Sequence, residues 1–173
     1  MNRRILTAIL TFAFSLTLLS SCSKAEDKTI SDYLGDYSYN EPAICMVYEQ
    51  VEGETDDNGN PCYGIQYRKV TDYEGLISCG DVFLIYFYSS MDNRSAEVTA
   101  AMEDLAQTYN GKIHILMLDA MQYSDLMKKY DIDAVPEFVL VKPGQQDTVF
   151  GSTEYDQWTI NDVISWLQSY GIS

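Results

Sequence analysis

The chain has 173 residues, with 11 basic and 26 acidic side chains that give a formal net charge of −15, and it is 46% hydrophobic. This length allows one ordinary domain or a small domain with an appendage, and the composition excludes a mostly disordered chain. A chain this acidic lacks the basic surface that attracts phosphate groups, so no nucleic-acid partner is expected. The single histidine, His114, lies in an apolar run. No cluster with metal-ligand spacing accompanies it, so neither a metal nor another cofactor is predicted.

The N-terminal segment has the layout of an export signal. Arg3 and Arg4 precede an apolar stretch of 15 residues, from Ile5 to Leu19. A membrane span needs about 20 apolar residues, so this stretch is short for a span but suits a signal peptide. It leads into Leu19-Ser20-Ser21-Cys22, which resembles the lipobox of bacterial lipoproteins.

The lipobox resemblance implies that the chain is divided at Cys22. Residues 1–21 are then a cleaved lipoprotein signal peptide, and Cys22 carries the lipid, such as palmitate, on its thiol and amine. The alternative is an ordinary secretory signal in which Cys22 is incidental. Cleavage leaves a charge of about −17, which anionic headgroups repel. The lipid is therefore expected to be the membrane anchor in the bacterial cell envelope, facing the periplasm or at the cell surface.

The region between the anchor and the main domain has its own composition. Residues 22–33 are interpreted as the lipidated cysteine and a polar tether, and residues 34–63 as an N-terminal extension rich in tyrosine and acidic side chains. The runs at 44–48 and 63–70 predict a β-hairpin, closed by the acidic loop Glu52–Asn60. The tyrosines either pack the hairpin onto the sheet or form an exposed face.

The acidic loop has a partial likeness to a calcium-binding loop. Asp56, Asn58 and Asn60 alternate along it, as ligands do in an EF-hand. However, Pro61 and Tyr67 occupy the positions where that motif needs glycine and glutamate. A solvated turn is therefore the expectation.

Residues 64–173 are predicted to form an α/β domain. The run Val82–Tyr88 is continuously apolar, as is typical of a strand buried on both faces. Further strands are predicted at 113–118, 137–141 and 147–150, and helices at 95–109, 124–130 and 159–170. This order indicates a mixed sheet with helices on both faces.

Several stretches of this domain resemble thioredoxin-like proteins. Tyr86-Phe87-Tyr88 is similar to the strand end before the thioredoxin active site, residues 131–136 (DIDAVP) to the stretch that ends in the family's cis-proline, and Lys142-Pro143-Gly144 to its hairpin turn. The resemblance covers about residues 64–171. It implies a thioredoxin-like mixed central sheet flanked by helices, with the N-terminal β-hairpin as an extension.

The redox motif of that family is missing from this chain. The family's Cys-x-x-Cys begins the helix after this strand, where a low thiol pKa supports exchange. The corresponding positions here are Asp92, Asn93, Arg94 and Ser95, and the usual tryptophan before them is Met91. An aspartate is no thiolate nucleophile, so Asp92 is expected to cap the helix instead.

Two supporting positions have changed as well. By the resemblance, the family's buried aspartate falls at Tyr86, and its partner lysine falls at Met117. Because thiols, acid and lysine are all absent, we expect a redox-inactive domain rather than an enzyme, and no residue is assigned a catalytic role.

The resemblance also implies a peptide-binding groove beside a cis peptide bond at Val135-Pro136. The family pairs there with an extended peptide through main-chain hydrogen bonds, which need no cysteine. The groove would lie between Met91, Asp92, Val135, Pro136 and Gly151. Alternatively, Pro136 is only a structural turn. The first hypothesis is therefore a lipid-anchored protein that binds a peptide or protein partner.

The remaining cysteines support a second hypothesis. An odd count in an exported protein allows one disulfide and one leftover thiol. Cys45 and Cys62 flank the predicted loop and are the expected pair, with Cys79 bonded to either of them as the alternative. If one of these three cysteines is reactive, the protein is instead a thiol–disulfide oxidoreductase with a non-standard site.

Overall fold

The computed structural model describes residues 28–150 and 157–173. The predicted signal peptide, the predicted lipidation site Cys22 and the predicted groove residue Gly151 lie outside the described residues. Within the two described ranges, no helix has the length and apolar character that a membrane crossing requires.

The described residues form one mixed sheet with helices on both faces. The strands are β1 (Leu34–Tyr37), β2 (Ala43–Thr55), β3 (Pro61–Val70), β4 (Phe83–Tyr88), β5 (His114–Asp119), β6 (Glu137–Val141) and β7 (Thr148–Val149). The helices are α1 (Tyr73–Ile77), α2 (Asn93–Thr108), α3 (Ser124–Lys129) and α4 (Ile160–Ser169). The strand order is β1-β3-β2-β5-β4-β6-β7. Only the β4–β5 pair is parallel among these strands, so the predicted mixed sheet is confirmed.

The core has two layers, one on each face of the sheet. Leu84 and Tyr86 of β4 face the layer that contains α2 and α4. Phe83, Ile85 and Phe87 face the opposite layer, to which α1 and α3 contribute. All five side chains are fully buried, as the continuous apolar run predicted for a strand covered on both faces.

The predicted hairpin is present, but its loop is shorter than expected. β2 continues through Thr55, so the acidic residues at 52–55 belong to a strand. The turn is closed by Asp56, whose Oδ1 accepts the backbone N–H groups of Asn58 and Asn60, each at 2.8 Å. The hairpin is continuous with the main sheet, since β2 pairs with β5 and β3 runs across the predicted division at residue 64.

The prediction of a polar tether up to residue 33 is wrong at its C-terminal end. Ile30–Tyr33 form a 3₁₀ turn in which the carboxylate of Asp32 accepts the backbone N–H of Thr29 at 2.7 Å. Ile30 and Tyr33 pack against the α1/α3 face of the core. This turn, β1 and α1 are four or five residues long and show no hydrophobic period, which is why the sequence pattern missed them.

The predicted disulfide between Cys45 and Cys62 is also wrong. The strand register places Cys45 opposite Arg68, and Cys62 lies six residues before Arg68 on β3. At about 3.3 Å per residue, the two cysteines are about 20 Å apart along the hairpin. A disulfide needs Cα atoms within about 7 Å. Cys45, Cys62 and Cys79 are all free thiols in the structure.

Candidate functional site

The sheet brings the predicted site residues to one edge. β4 runs parallel to β5 and antiparallel to β6, and Phe87 lies opposite both Leu118 and Glu137. The residues that follow β4 therefore lie at the same edge as the residues that precede β6. This edge, at the carboxyl ends of β4 and β5, is where open α/β sheets commonly bind ligands.

Asp92 is the N-cap of α2, as predicted. Its Oδ2 accepts the backbone N–H of Ser95 at 2.6 Å. Hydrogen bonds from Ser95 hold the pKa of the Asp92 carboxyl below its ordinary value. The carboxylate thus satisfies one of the free N–H groups at the start of the helix.

Ser95, at the position of the second cysteine of the missing motif, is 1% exposed, and its polar atoms form hydrogen bonds. Its hydroxyl accepts the backbone N–H of Ser89 at 3.2 Å. Its carbonyl accepts the hydroxyls of Tyr86 and Thr99 at 2.7 and 2.8 Å. The side chain therefore joins the end of β4 to the first turn of α2, which is a structural role.

Tyr86 and Met117 fill the positions where the family has its aspartate and lysine. They lie opposite each other on β4 and β5, and both are buried. The Tyr86 ring stacks on Phe138 with centroids 5.4 Å apart. Burial raises the pKa of the Tyr86 hydroxyl to about 12, against the opposing effect of its bonds to Thr99 and Ser95. This pair cannot exchange a proton with a neighbouring group near neutral pH.

Arg94 connects the start of α2 to the segment before α4. Its guanidinium donates a hydrogen bond to the carbonyl of Trp158 at 2.7 Å. It also lies over the Trp158 ring, 4.4 Å from the centroid. Asn93, beside it, is exposed. Of the two positions between the missing cysteines, Arg94 packs on Trp158 and Asn93 is exposed to solvent.

The predicted groove residues that the structure describes come from the segments that follow β4 and precede β6, at this end of the sheet. The Val135-Pro136 peptide bond is cis, as the resemblance implied. Met91 follows β4 and is 86% exposed, whereas Val135 is half-buried and Pro136 is buried.

Comparison with known proteins agrees with this architecture. The Thioredoxin family model matches residues 65–164. This chain belongs to the thioredoxin family. A thioredoxin from Staphylococcus aureus is 31% identical over 86 residues, which cover 48% of this chain and 82% of the relative. Thioredoxin-1 from Drosophila melanogaster is 24% identical over 94 residues, covering 53% and 88%. The first thioredoxin domain of mouse protein disulfide-isomerase A4 superposes with a TM-score of 0.47 at 19% identity, over 56% of this chain and 68% of that one.

A half-buried carboxyl at this edge of the thioredoxin-family domain escaped the sequence analysis. Glu137 directly follows the cis-proline, and its Oε1 accepts the backbone N–H of Phe138 at 2.9 Å. Burial raises the pKa of the Glu137 carboxyl to about 7. The sequence carries one indication of this site, since Glu137 is an acidic residue at the start of an otherwise apolar strand.

The free thiols lie away from the edge at which the thioredoxin family carries its redox motif. Cys45 is completely buried in the α1/α3 layer, and this burial raises its thiol pKa to about 12. Cys79 precedes β4 and so lies at the opposite end of the strand. Its Sγ is 3.6 Å from Oδ2 of Asp81, and burial raises its thiol pKa. A reactive cysteine needs a lowered pKa, so Cys45 and Cys79 have the opposite character.

Proposed function

We propose that this chain is a lipid-anchored protein of the bacterial cell envelope, whose thioredoxin-family domain binds a peptide or protein partner and carries out no dithiol exchange. The observation that carries the proposal is the state of the two motif positions. Asp92 caps α2 with its carboxylate, and Ser95 is buried in a hydrogen-bond network. Neither offers a thiol, and the Tyr86–Met117 pair behind them offers no proton relay.

The backbone before Pro136 supports a binding role. Ala134 is exposed and Val135 is half-buried, and neither forms a backbone hydrogen bond with another described residue. Unpaired N–H and C=O groups at an accessible edge can accept an extended peptide by strand addition. Met91, a large and exposed apolar side chain, lies at the same edge and offers the contact area for a side chain of that peptide.

The lipid anchor rests on the sequence of the first 22 residues. The proposed anchor predicts that the mature N-terminal peptide of the unmodified chain carries acyl chains on Cys22 and that the Cys22→Ala variant carries none, because the thiol that takes the lipid is gone. Mass spectrometry of the N-terminal peptide measures this, and the result does not depend on whether the apolar stretch Ile5–Leu19 remains on the variant. Cys62→Ala is the matched control and stays acylated. An unacylated Cys22 in the unmodified chain would contradict the anchor.

Site-directed photocrosslinking in cells tests the binding surface. A photoreactive phenylalanine analogue placed at Met91 or at Ala134 is expected to give the same discrete crosslinked species. The same analogue at Tyr63, which is 58% exposed on the hairpin, is the control and should give none. Equal products from all three positions, or none from Met91 and Ala134, would count against the proposed groove.

The relatives favour one alternative, since the proteins that match this chain are named thioredoxins. In that case the reaction must use Cys45, Cys62 or Cys79, because positions 92–95 hold no cysteine. A disulfide reductase activity that disappears on replacing one of these three cysteines by serine would support this alternative over the binding role.

A further inference from the structure

A pair of adjoining cavities lies on the other side of β4 from the proposed groove. Their volumes are about 390 and 330 Å³, and they share Tyr39, Tyr88 and Ser90 as lining residues. The strand order places this double cavity towards β5 and β2, whereas the groove lies towards β6. Cavities of this size accommodate small ligands or a single protein side chain. We call it the tyrosine cavity, after Tyr39, Tyr67 and Tyr88.

The walls of the tyrosine cavity are aromatic. Tyr39 comes from the segment between β1 and β2, is 70% exposed and packs on Tyr67, with ring centroids 4.8 Å apart. The hydroxyl of Tyr67 donates a hydrogen bond to Glu103, and this bond holds the Tyr67 ring in place. Tyr88 ends β4 and is half-buried. Three rings from three segments therefore line the cavity of about 330 Å³, and two of them, Tyr39 and Tyr88, also line the adjoining one.

The charge around the tyrosine cavity is negative. Asp119 and Glu41 line it, and its described lining includes no lysine, arginine or histidine. Lys69 neutralises Glu41 across 3.2 Å. In Asp119, Oδ1 accepts the backbone N–H groups of Met121 and Gln122, while Oδ2 accepts no hydrogen bond from another described residue. Tyr88 and Asp119 lie opposite each other at the ends of β4 and β5 and both line the cavity. Burial raises the pKa of the Tyr88 hydroxyl, and the charge of Asp119 raises it further.

We propose that the tyrosine cavity binds the cationic side chain of a lysine or arginine on a protein partner. Ring faces attract a cation, and a carboxylate beside them supplies the opposite charge. An anionic ligand would meet the Asp119 carboxylate, with no cation in the described lining to offset its charge. The formal charge of −15 on the whole chain adds long-range attraction for a basic partner. This site is independent of the proposed peptide groove and can exist without it.

A titration of the full-length chain in nonionic detergent tests the proposal. The probes are the peptide acetyl-Ala-Lys-Ala-amide, its arginine counterpart and its norleucine counterpart, which keeps the aliphatic chain but has no charge. The readout is the ring ¹³C signals of labelled tyrosines, assigned by single Tyr→Phe changes. We expect both basic peptides to shift the signals of Tyr39 and Tyr88 saturably, and to bind about fivefold tighter than the norleucine peptide.

Two variants test whether binding depends on the tyrosine cavity or only on the net negative charge of the chain. Asp119→Asn preserves the Oδ1 acceptor for Met121 and Gln122 but removes the charge, and it is expected to weaken binding of the lysine peptide about fivefold. Tyr63→Ala changes an exposed tyrosine outside the cavity and should leave binding unchanged. The proposal is overturned if the norleucine peptide binds equally well, if neither ring signal moves, or if Asp119→Asn binds the lysine peptide as the unmodified chain does.

Discussion

Replacement of Tyr86 by alanine is expected to lower the free energy of unfolding by about 3–5 kcal/mol, the range for large aromatic side chains in a closed core. The side chain is fully buried between the sheet and α2 and stacks on Phe138. Its removal leaves a cavity beneath the start of α2 and takes away the donor to the Ser95 carbonyl. Denaturation in urea, followed by circular dichroism, measures the change.

The Tyr86→Phe variant is the matched control for that experiment. It retains the ring and removes only the hydroxyl, and Thr99 still donates to the Ser95 carbonyl. The expected loss is about 1 kcal/mol. If alanine costs no more than phenylalanine at this position, Tyr86 is not the core residue described above, and its replacement of the family's aspartate would need another explanation.

Glu137→Gln is expected to change how stability depends on pH. Burial raises the pKa of the folded Glu137 carboxyl to about 7, from an ordinary value of 4.5. The folded state therefore favours the protonated carboxyl, whose contribution is fully present below about pH 4.5 and is lost as the pH rises through 7. The carboxyl is partly exposed, so after allowance for solvent screening the loss between pH 5 and 8 is about 2 kcal/mol.

The glutamine variant has no such titration, and its amide oxygen can still accept the N–H of Phe138. At pH 5 the variant and the unmodified chain should be similarly stable. At pH 8 the variant should be more stable by about 1–2 kcal/mol. Unfolding curves are measured across this pH range, with Glu54→Gln, a change of an exposed carboxyl on β2, as the control. Parallel pH profiles for the unmodified chain and Glu137→Gln would contradict the account.

Local signals in the sequence predicted the main elements of the fold. The continuous apolar run of β4 indicated a strand covered on both faces. Asp92 marked the start of α2, and its cap is present. The cap signal depends on residues within four positions of each other, and the apolar run reflects burial on both faces of the strand. Both can therefore be recognised in a single sequence.

Features that depend on register or on distant segments were not predictable in the same way. The proposed Cys45–Cys62 disulfide failed because flanking a loop does not fix which residues of the two strands lie opposite each other. The tyrosine cavity joins Tyr39, Tyr88 and Asp119 from three separate segments, and no local pattern in the sequence shows that these residues lie side by side. Glu137 is marked in the sequence only as an acidic residue before an apolar stretch. Its burial depends on the packing of all the segments at this end of the sheet.

Catalysed reduction of insulin disulfides by dithiothreitol tests most directly the claim that this thioredoxin-family domain has no dithiol chemistry. The full-length chain in nonionic detergent is compared with the Staphylococcus aureus thioredoxin and with dithiothreitol alone. We expect a rate equal to that of dithiothreitol alone, because positions 92 and 95 hold no thiol and Cys45 is buried. A rate above that level which Cys45→Ser, Cys62→Ser or Cys79→Ser abolishes would contradict it and would locate the active site at that cysteine.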